Sequence, residues 1–297
     1  MVGRRAEYAK ITPMIDLRTF VGQTLGEDVV AMVPLGGGDV ADSYRISLGD
    51  GTVVFAKTKR DAVPEFFVTE AVGLNWLREA GSVAVPEVLA VHDDPAYLVL
   101  EWIEPGFTEA ETERDLGVAL AYLHRMGAPF FGREDRRSTG SRGLPNERCE
   151  TWAEFYATQR LLPLAKLARD ANALPHDAIT QLEDVAGRLE GMVGAAEPPA
   201  RLHGDLWGGN RVVGTGGVSW LIDPAAHGGH REFDLAMMRL FGGFGEACYR
   251  AYDEVAPLSD GWEERVTLHQ LAPLVVHSIK FGGPYVPATV QAIARYA

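Results

Sequence analysis

The segment LHGDLWGGN, residues 202–210, constrains the fold of this chain more than any other stretch. It places Asp205 five residues before Asn210, and Asp223 follows thirteen residues after Asn210, in LIDPA. The residues between Asn210 and Asp223 contain two strand-like stretches around a glycine-rich turn, which predicts a β-hairpin. Such a hairpin returns Asp223 to the side of Asn210. The chain is therefore expected to fold around a cluster of these three polar side chains.

These three residue types suit the transfer of a phosphoryl group from ATP, in which a protein mainly positions phosphates and neutralises charge. A carboxylate at Asp205 can align an attacking hydroxyl and accept its proton. The side-chain oxygens of Asn210 and Asp223 are hard ligands that suit Mg²⁺. The pattern therefore predicts Asp205 as the catalytic base, Asn210 and Asp223 as metal ligands, and ATP and Mg²⁺ as cofactors. A glycine-rich surface loop followed by an ordinary strand is the alternative.

The first hundred residues predict a short helix and then a small antiparallel sheet. The helix is expected over residues 15–25. An Asp50-Gly51 pair is a strong hairpin signal between the second and third strands. Strand-like stretches cover residues 29–35, 43–48, 52–57, 88–91 and 97–102.

Three glycines, Gly36, Gly37 and Gly38, break the chain after the first strand-like stretch. Glycine lets backbone N–H groups approach phosphate oxygens without interference from a Cβ atom. The three are therefore candidate nucleotide-binding residues, although no Gly-Lys-Ser/Thr follows as in a Walker A loop. An ordinary hairpin turn is the alternative.

Lys57 ends the third strand-like stretch, and strand alternation places it on one face with Val53 and Phe55. A lysine among apolar neighbours needs a partner. Glu70 projects from the apolar stripe of a helix predicted over residues 65–78. A strand lysine paired with a helix glutamate holds ATP phosphates in kinases, so we predict this role for Lys57 and Glu70. A purely structural ion pair is the alternative.

The fifth strand-like stretch continues as EWIEPG and ends in a proline–glycine break. Such a break predicts a hinge between two lobes, residues 1–104 and 105–297. The backbone of Glu101, Trp102 and Ile103 is a candidate contact for the adenine of a nucleotide. A core strand followed by a plain turn is the alternative.

From residue 111 the apolar periodicity becomes helical, which predicts a mostly helical second lobe and, with the first-lobe sheet, an α+β fold. Asp234, near the start of one predicted helix, is expected to cap that helix, with bracing of the segment around Asp205 as the alternative. Further helices are predicted over residues 152–169, 176–193, 232–240, 263–280 and 288–297.

The histidines and cysteines give no metal or disulfide signature. His203, His227, His230 and His277 lack the spacing of a zinc site, so we expect hydrogen-bonded or solvated histidines there. Two cysteines are too few for a disulfide framework and have no metal-ligand spacing, so reduced thiols are expected.

A net charge of −13 argues against a nucleic-acid partner, because binding to phosphate backbones needs clustered cations. The sequence has no apolar leader and no apolar run of membrane-spanning length. We therefore expect a cytoplasmic protein without nucleic-acid or membrane partners, as a monomer or weak dimer.

With these residues in view, the chain resembles the fructosamine kinases, or ketosamine-3-kinases, of the protein-kinase-like superfamily that also contains aminoglycoside and choline kinases. The resemblance covers nearly the whole chain. It implies a bilobal fold whose N-lobe is an antiparallel sheet with one main helix and whose C-lobe is mostly helical. The similar segments are LHGDLWGGN, LIDPAAHGGHREFDLAMMRLFGGF, LGGGDVADSYRI, FAKT and HSIKFGGPY.

The resemblance also implies an activity, the ATP-dependent phosphorylation of the sugar 3-hydroxyl of ketosamines. The substrates would be fructosamines or ribulosamines, free or attached to a protein lysine. Phosphorylation would remove early glycation adducts, because the phosphorylated sugar detaches more readily. In this resemblance Asp205 matches the base, Asn210 and Asp223 the magnesium ligands, and Lys57 with Glu70 the phosphate-anchoring pair.

Two features bear on specificity and regulation. Many family members carry a cysteine in the glycine-rich loop that can form a redox-sensitive disulfide between subunits. This chain has Asp39 there, so no such switch is expected. Trp207 favours a ketosamine acceptor over an aminoglycoside, and Trp207, His227 and Tyr285 are the candidate residues of the acceptor pocket.

Two other functions remain open from the sequence. One is a kinase for aminoglycosides, choline-like amines or homoserine, which would share the ATP machinery and differ only in its acceptor. The other is a nucleotide-binding regulator without catalysis, against which the presence of Asp205, Asn210, Asp223 and Lys57 argues.

Overall fold

The computed structural model describes residues 16–36, 41–135, 137–140 and 142–297. These residues form two units. The first consists of the chain up to Val68 together with Val88–Trp102. The second consists of Thr69–Glu87 and Ile103–Ala297. The last stretch of the second unit begins at Ile103, two residues before residue 105, where the second lobe was predicted to begin.

The first unit is built on the predicted antiparallel sheet. Its five strands lie in the order β1-β2-β3-β5-β4, and every neighbouring pair is antiparallel. The predicted Asp50-Gly51 turn joins β2 to β3, and the Asp50 carboxylate accepts hydrogen bonds from both the backbone N–H and the hydroxyl of Thr52. The strands are β1 (Val29–Leu35), β2 (Asp42–Leu48), β3 (Val53–Lys59), β4 (Val88–His92) and β5 (Ala96–Glu101).

Helix α1 (Leu17–Leu25) covers one face of this sheet. It begins after Asp16, whose side chain accepts from the backbone N–H of Thr19, and ends at Gly26, whose φ of 73° suits glycine. Its apolar side chains share a buried core with alternate residues of the strands, which explains why strand alternation was readable. That core contains Leu17, Val21, Ile46, Leu48, Val54, Ala56, Tyr97 and Val99.

The second unit is mostly helical, as predicted. Its α-helices, numbered from the one that continues out of the first unit, are α2 (Phe66–Arg78), α3 (Thr112–Met126), α4 (Trp152–Phe155), α5 (Leu162–Asp170), α6 (His176–Ala186), α7 (Glu232–Phe241), α8 (Glu246–Val255), α9 (Trp262–His269), α10 (Leu271–Phe281) and α11 (Tyr285–Ala294). No helix among the described residues is long and apolar enough to cross a membrane.

One helix predicted as continuous, over residues 152–169, is interrupted by a π-helical segment, Tyr156–Leu161. Pro163 explains the interruption, because it cannot donate the N–H that an α-helix would direct to the carbonyl of Gln159. The Arg160 side chain donates to that carbonyl instead, at 2.9 Å.

The helix predicted over residues 263–280 is likewise two helices, separated at Gln270. Pro273 leaves the carbonyl of His269 without a helical donor. The hydroxyl of Tyr156 lies within hydrogen-bond distance of the carbonyls of both Leu268 and His269, at 2.9 and 3.0 Å. The helix predicted over residues 176–193 ends at Ala186, and the last helix begins at Tyr285 rather than at residue 288.

Short strands of the second unit position the LHGDLWGGN segment. The predicted hairpin is confirmed as β7 (Arg211–Val213) and β8 (Ser219–Leu221), which pair antiparallel. Strand β6 (Ala200–Leu202) leads into the segment and pairs with β9 (His227–Gly229), a pairing that the sequence did not predict. Both ends of the region from residue 200 to 229 are therefore anchored in the second unit.

Candidate active site

Asp234 fixes the start of the LHGDLWGGN loop. Its two carboxylate oxygens accept hydrogen bonds from the backbone N–H groups of His203, at 2.7 Å, and Gly204, at 2.9 Å. His124, on α3, lies 3.3 Å from the same carboxylate. The expectation that Asp234 caps its own helix is therefore wrong, and the alternative, bracing of the segment around Asp205, is what the structure shows.

The carboxylate of Asp234 is fully buried, which alone would raise its pKa. Hydrogen bonds, including those from the His124 side chain and the backbone N–H of Gly204, outweigh burial and lower the pKa of Asp234 below its ordinary value. A charged, multiply bonded carboxylate therefore holds the loop at neutral pH.

The His203 ring ties the loop to the strand that carries Asp223. Its Nε2 lies 2.9 Å from the carbonyl of Ile222, and its Nδ1 accepts from the backbone N–H of Asp205. These partners assign the neutral tautomer with hydrogen on Nε2. Burial lowers the pKa of His203, which favours this neutral form.

Asn210 brings the three predicted residues together. Its Nδ2 donates to the backbone carbonyl of Asp205 at 2.8 Å, to Oδ2 of Asp205 at 3.0 Å, and toward the carbonyl of Asp223 at 3.4 Å. The amide nitrogen makes all three contacts, and the amide oxygen makes none of them. The predicted clustering of Asp205, Asn210 and Asp223 is thus present within the second unit.

Asp223 follows β8 with a φ of 53°, in the left-handed region that few residues other than glycine adopt. Such a conformation costs on the order of 1 kcal/mol and requires support from its surroundings. Support comes from the Arg133 side chain, which donates to the carbonyl of Ala226 at 2.8 Å. The close packing of Gly73, on α2, against Ala226 provides a second contact.

Asp205 has the perturbed titration expected of a catalytic group. Burial is the largest cause and raises its pKa, and the nearby charges of Asp223 and Asp234 act in the same direction. Asn210 and Lys280 oppose them, and the resulting pKa is about 7. A carboxylate with this pKa can accept a proton near neutral pH and release it again.

Two glycine pairs let the loop approach the end of α7. Gly243 has a φ of 93°, and a Cβ atom there would lie 2.6 Å from the Cα of Gly208. The backbone N–H of Gly208 donates to the carbonyl of Gly242 at 3.2 Å. Gly243 of LFGGF is therefore required by its contact with Gly208 of LHGDLWGGN.

A half-exposed aromatic surface lies on the same side as Asp205. We call it the aromatic wall, and it consists of Trp207, Phe241, His277, Phe281 and Tyr285, whose neighbouring ring centres are 4.5–6.0 Å apart. Trp207 is 40% exposed and Phe281 49%. Lys280 lies over the ring of Phe281 at 4.7 Å and is near enough to Asp205 to lower its pKa.

The third residue predicted for the acceptor pocket, His227, lies elsewhere. It is 1% exposed, its ring stacks on Phe155, and its Nδ1 donates to the carbonyl of Ala225 at 2.8 Å. Burial lowers the pKa of His227 to about 3. This placement in the core argues against contact with an acceptor.

The predicted nucleotide-binding residues lie mainly in the first unit. Lys57 is 7% exposed on β3, with its ammonium 5.9 Å from the ring of Phe55, while Glu101 ends β5 and the guanidinium of Arg45 lies over Trp102. Gly36 follows β1, whereas Gly37, Gly38 and Asp39 are outside the described residues.

Glu70 is half-buried on α2, and Ile103 begins the long second part of the second unit. The predicted pairing of Lys57 with Glu70 stays a prediction, as does the contact of residues 101–103 with adenine.

Comparison with known proteins places the chain among sugar kinases. Residues 16–297 match the family model described as fructosamine kinase. A protein of Enterococcus faecium named as a probable ketoamine kinase is 36% identical over 86% of this chain and 91% of its own length. The chloroplastic protein-ribulosamine 3-kinase of Arabidopsis thaliana is 33% identical over 88% of this chain and 81% of its own length.

The fold comparison agrees. A solved structure from Thermobifida fusca, assigned as a fructosamine-3-kinase, is 39% identical with a TM-score of 0.85, and the match covers 94% of this chain and 97% of that one. More distant small-molecule kinases of known structure, at 13–15% identity, share the fold alone. The bilobal, protein-kinase-like α+β fold implied by the resemblance is confirmed.

Proposed function

The chain belongs to the fructosamine kinase family, and from that membership we infer that it is an ATP-dependent phosphotransferase that phosphorylates the sugar 3-hydroxyl of ketosamines. The observation that carries this proposal is the hydrogen bonding of the Asn210 amide to the carboxylate of Asp205 and toward the backbone carbonyl of Asp223. It holds the candidate proton acceptor and the two candidate metal-binding residues close together in one loop and hairpin, as phosphoryl transfer requires.

We propose that Asp205 accepts the proton of the attacking hydroxyl. Its pKa of about 7 lies near the pH at which a general base works best. The hydrogen bond from Asn210 orients the Oδ2 atom of Asp205, and Asp234 and His203 fix the backbone that leads into Asp205. The base is therefore held in place before an acceptor arrives, which lowers the entropic cost of the reaction.

The oxygens of Asn210 and Asp223 fit Mg²⁺, because both are hard donors and the amide nitrogen of Asn210 is already used within the protein. Bound there with ATP, Mg²⁺ would neutralise charge on the phosphates. The protein's own contribution is the hairpin β7–β8, which keeps Asp223 next to Asn210. That pairing and the hydrogen bond from the Ile222 N–H to the Asn210 carbonyl, at 3.0 Å, hold the two residues in place.

The same mechanism gives roles to the predicted nucleotide-binding residues. We propose that the Lys57 ammonium and Glu70 anchor the phosphates, that Gly36, Gly37 and Gly38 approach them through backbone N–H groups, and that Glu101, Trp102 and Ile103 contact adenine. The burial of Lys57 on β3 supports the first of these roles, since a buried ammonium serves where it meets negative charge.

For the acceptor we propose the aromatic wall, with Trp207 and Tyr285 as the predicted members and Phe241, His277 and Phe281 as those that the structure adds. A ketosamine joins a polyhydroxylated sugar to an amine that is protonated at neutral pH. Aromatic faces bind both the apolar face of a sugar and an adjacent ammonium group. The half-exposure of Trp207 and Phe281 supports this use, because buried rings could not receive a ligand.

An acceptor panel with coupled detection of ADP tests the proposal. We expect turnover with deoxyfructosyl-lysine or ribulosyl-lysine, and turnover lower by roughly 10²-fold or more with either when Asp205→Asn replaces the wild type. Turnover confined to an aminoglycoside, a choline-like amine or homoserine would replace the ketosamine assignment by the neighbouring kinase class. Nucleotide binding without ADP production from any acceptor would identify a non-catalytic regulator.

Setting and partners follow from the same proposal. We propose a cytoplasmic enzyme that acts on free or protein-linked ketosamines, as a monomer or weak dimer, without nucleic-acid or membrane partners. The net charge of −13 supports the exclusion of nucleic acid and favours substrates with an amine.

A further inference from the structure

Arg45, on β2, lies on the same face of the first-unit sheet as Lys57. It is opposite Phe55 on β3, and Phe55 is opposite Leu100 on β5. Directly opposed residues of an antiparallel pair share a face, and so do residues two apart on one strand. The other face is buried against α1, and the strands contribute to it Ile46, Leu48, Val54, Ala56, Tyr97 and Val99. Arg45 is therefore a second cation on the face that carries the proposed phosphate anchor.

The two ends of this face have different proposed uses. At one end Leu35, which precedes Gly36, is opposite Ser43. Ser43 is in turn opposite Lys57 on β3. At the other end β3 is paired with Glu101, where β5 ends. The phosphates of ATP are thus proposed to bind at the first end and adenine at the second, which we call the hinge end.

The Arg45 side chain extends toward the hinge end. Its guanidinium lies over the ring of Trp102, 5.3 Å from the ring centre. Its Nη1 donates at 3.2 Å to the hydroxyl of Ser47, two residues further along β2 in the same direction. At a rise of about 3.3 Å per residue, Arg45 already stands roughly 7 Å along the strands from Lys57. Both contacts therefore hold the guanidinium next to the residues proposed to contact adenine.

The positive charge of Arg45 is not taken up by a carboxylate. Among the residues that the structure describes, its contacts are the ring of Trp102 and the hydroxyl of Ser47, and no ion pair is formed. The side chain is half-buried, and Ser47 uses one of the five N–H donors of the guanidinium. Such a group can receive a ligand without giving up an ion pair.

A guanidinium held in this position suits the face of a purine. Arginine stacks on aromatic rings through its planar cation, and its alkyl stem covers apolar surface. Adenine is planar, aromatic and uncharged, so it can lie against such a side chain. Because Trp102 and Ser47 already restrict the side chain of Arg45, little conformational entropy would be lost when a nucleotide binds.

We propose that Arg45 is a further nucleotide-binding residue whose guanidinium and alkyl stem cover one face of the adenine ring. This role rests on the proposed function, since it requires ATP to bind on the face that carries Lys57. The ring of Trp102 then acts as a positioning group that holds the guanidinium in place. The sequence did not single out Arg45, because one arginine within a strand has no spacing that indicates a nucleotide.

Nucleotide binding without an acceptor tests this role. The affinities of MgADP and adenosine are measured by competition with a fluorescent ADP analogue, in the wild type and in Arg45→Met. We expect both affinities to fall by a similar factor, roughly fivefold, because the lost contact is with the base that both ligands carry. Arg18→Met is the matched control, at an exposed arginine of α1 on the opposite side of the sheet, and should bind both ligands as the wild type does.

Circular dichroism verifies the fold of each variant. Unchanged affinities in folded Arg45→Met would overturn the proposal. A loss for MgADP alone would also overturn it, since Arg45 would then contact the phosphates. Should Arg45→Met fail to fold, Arg45→Gln, which keeps a side-chain donor for Ser47, decides by the same two affinities.

The same measurements separate this role from the proposed function. A wild type that binds no MgADP would overturn the kinase assignment and the role of Arg45 together. A wild type that binds MgADP but phosphorylates no ketosamine would overturn the proposed acceptor and leave the role of Arg45 to be decided by the two affinities.

Discussion

The LHGDLWGGN loop, residues 202–210, and the aromatic wall lie next to each other but are held in different ways. The loop is fixed by buried, directional hydrogen bonds to Asp234, His203 and Asn210. The wall is held by ring contacts between half-exposed side chains on α7, α10 and α11. Hydrogen bonds to a buried charge define one geometry, whereas ring contacts tolerate several. The difference suggests chemistry that is fixed and an acceptor range that can vary.

The strongest test of the loop is Asp205→Asn, which retains the size of the side chain and removes the proposed proton acceptor. We expect kcat to fall by roughly 10²–10⁴-fold for every acceptor, with little change in the KM for ATP. Steady-state kinetics over the acceptor panel measures both. A loss that differs strongly between acceptors would mean that Asp205 belongs to specificity, and the contrast between loop and wall would fail.

The pH dependence provides the control for this variant. Wild-type kcat/KM should rise with pH toward a plateau above about 7, where Asp205 is ionised. Because its folded pKa is above the ordinary value of 3.8, the folded state retains a proton that the unfolded state loses between about 4 and 7. The free energy of unfolding should therefore fall across that window relative to Asp205→Asn. Parallel stability curves would show that the pKa is not raised.

The next largest effect should come from Asp234→Ala. It leaves the backbone N–H groups of His203 and Gly204 without their acceptor, at a cost of about 3 kcal/mol in the free energy of unfolding. We expect kcat to fall at least tenfold as well, because the loop loses its position. Chemical denaturation and kinetics test both. A destabilised Asp234→Ala protein with the kcat of the wild type would show that Asp234 does not position Asp205.

The contact between the two sides is tested by Gly243→Ala, with Gly242→Ala as its matched control. Both positions have positive φ, and Gly242, with a φ of 71° and a ψ of −162°, lies in a region that is essentially restricted to glycine, so each substitution costs roughly 1–3 kcal/mol. Only at Gly243 would the new Cβ meet Gly208, whereas nothing lies within 4 Å of a Cβ at Gly242. Kinetics should show a fall in kcat of roughly tenfold for Gly243→Ala alone. An equal fall in kcat for both variants would indicate backbone strain and not displacement of Gly208.

The smallest effect is expected on the variable side. Tyr285→Ala should raise the acceptor KM by a few-fold, about 1 kcal/mol, and by different factors for different ketosamines. Tyr122→Ala, at an exposed ring on α3, should leave KM unchanged. Kinetics with fructosyl and ribulosyl acceptors provides the measurement. An equal fall in kcat for both acceptors would show that Tyr285 acts in the chemical step and not in selecting the acceptor.

The sequence was most informative where chemistry dictates residue types. Asp205, Asn210 and Asp223 were readable because phosphoryl transfer needs an acceptor of protons and hard oxygens, and because a Gly-rich turn signals the hairpin that joins them. The first-unit strands were readable from alternation, since one face packs against α1.

What the sequence did not reveal depends on groups without a residue signature. The partners of Asp234 are backbone N–H groups about thirty residues away, which look the same at every position. His277, Phe281 and Tyr285 have helical spacing, but their contact chain to Trp207 runs through Phe241 on another helix. The helix breaks near Pro163 and Pro273 could have been read from proline itself, whose missing N–H was outweighed by strong apolar periodicity.

The two backbone N–H groups that Asp234 accepts have a consequence for slow motions of the protein. An amide hydrogen exchanges with solvent only when its hydrogen bond opens. These two N–H groups donate to the buried carboxylate of Asp234 on α7. The amides of His203 and Gly204 should therefore be among the slowest to exchange, although they lie in a loop. Hydrogen–deuterium exchange would then show slow exchange at these two positions of the loop, as slow as in the neighbouring helices.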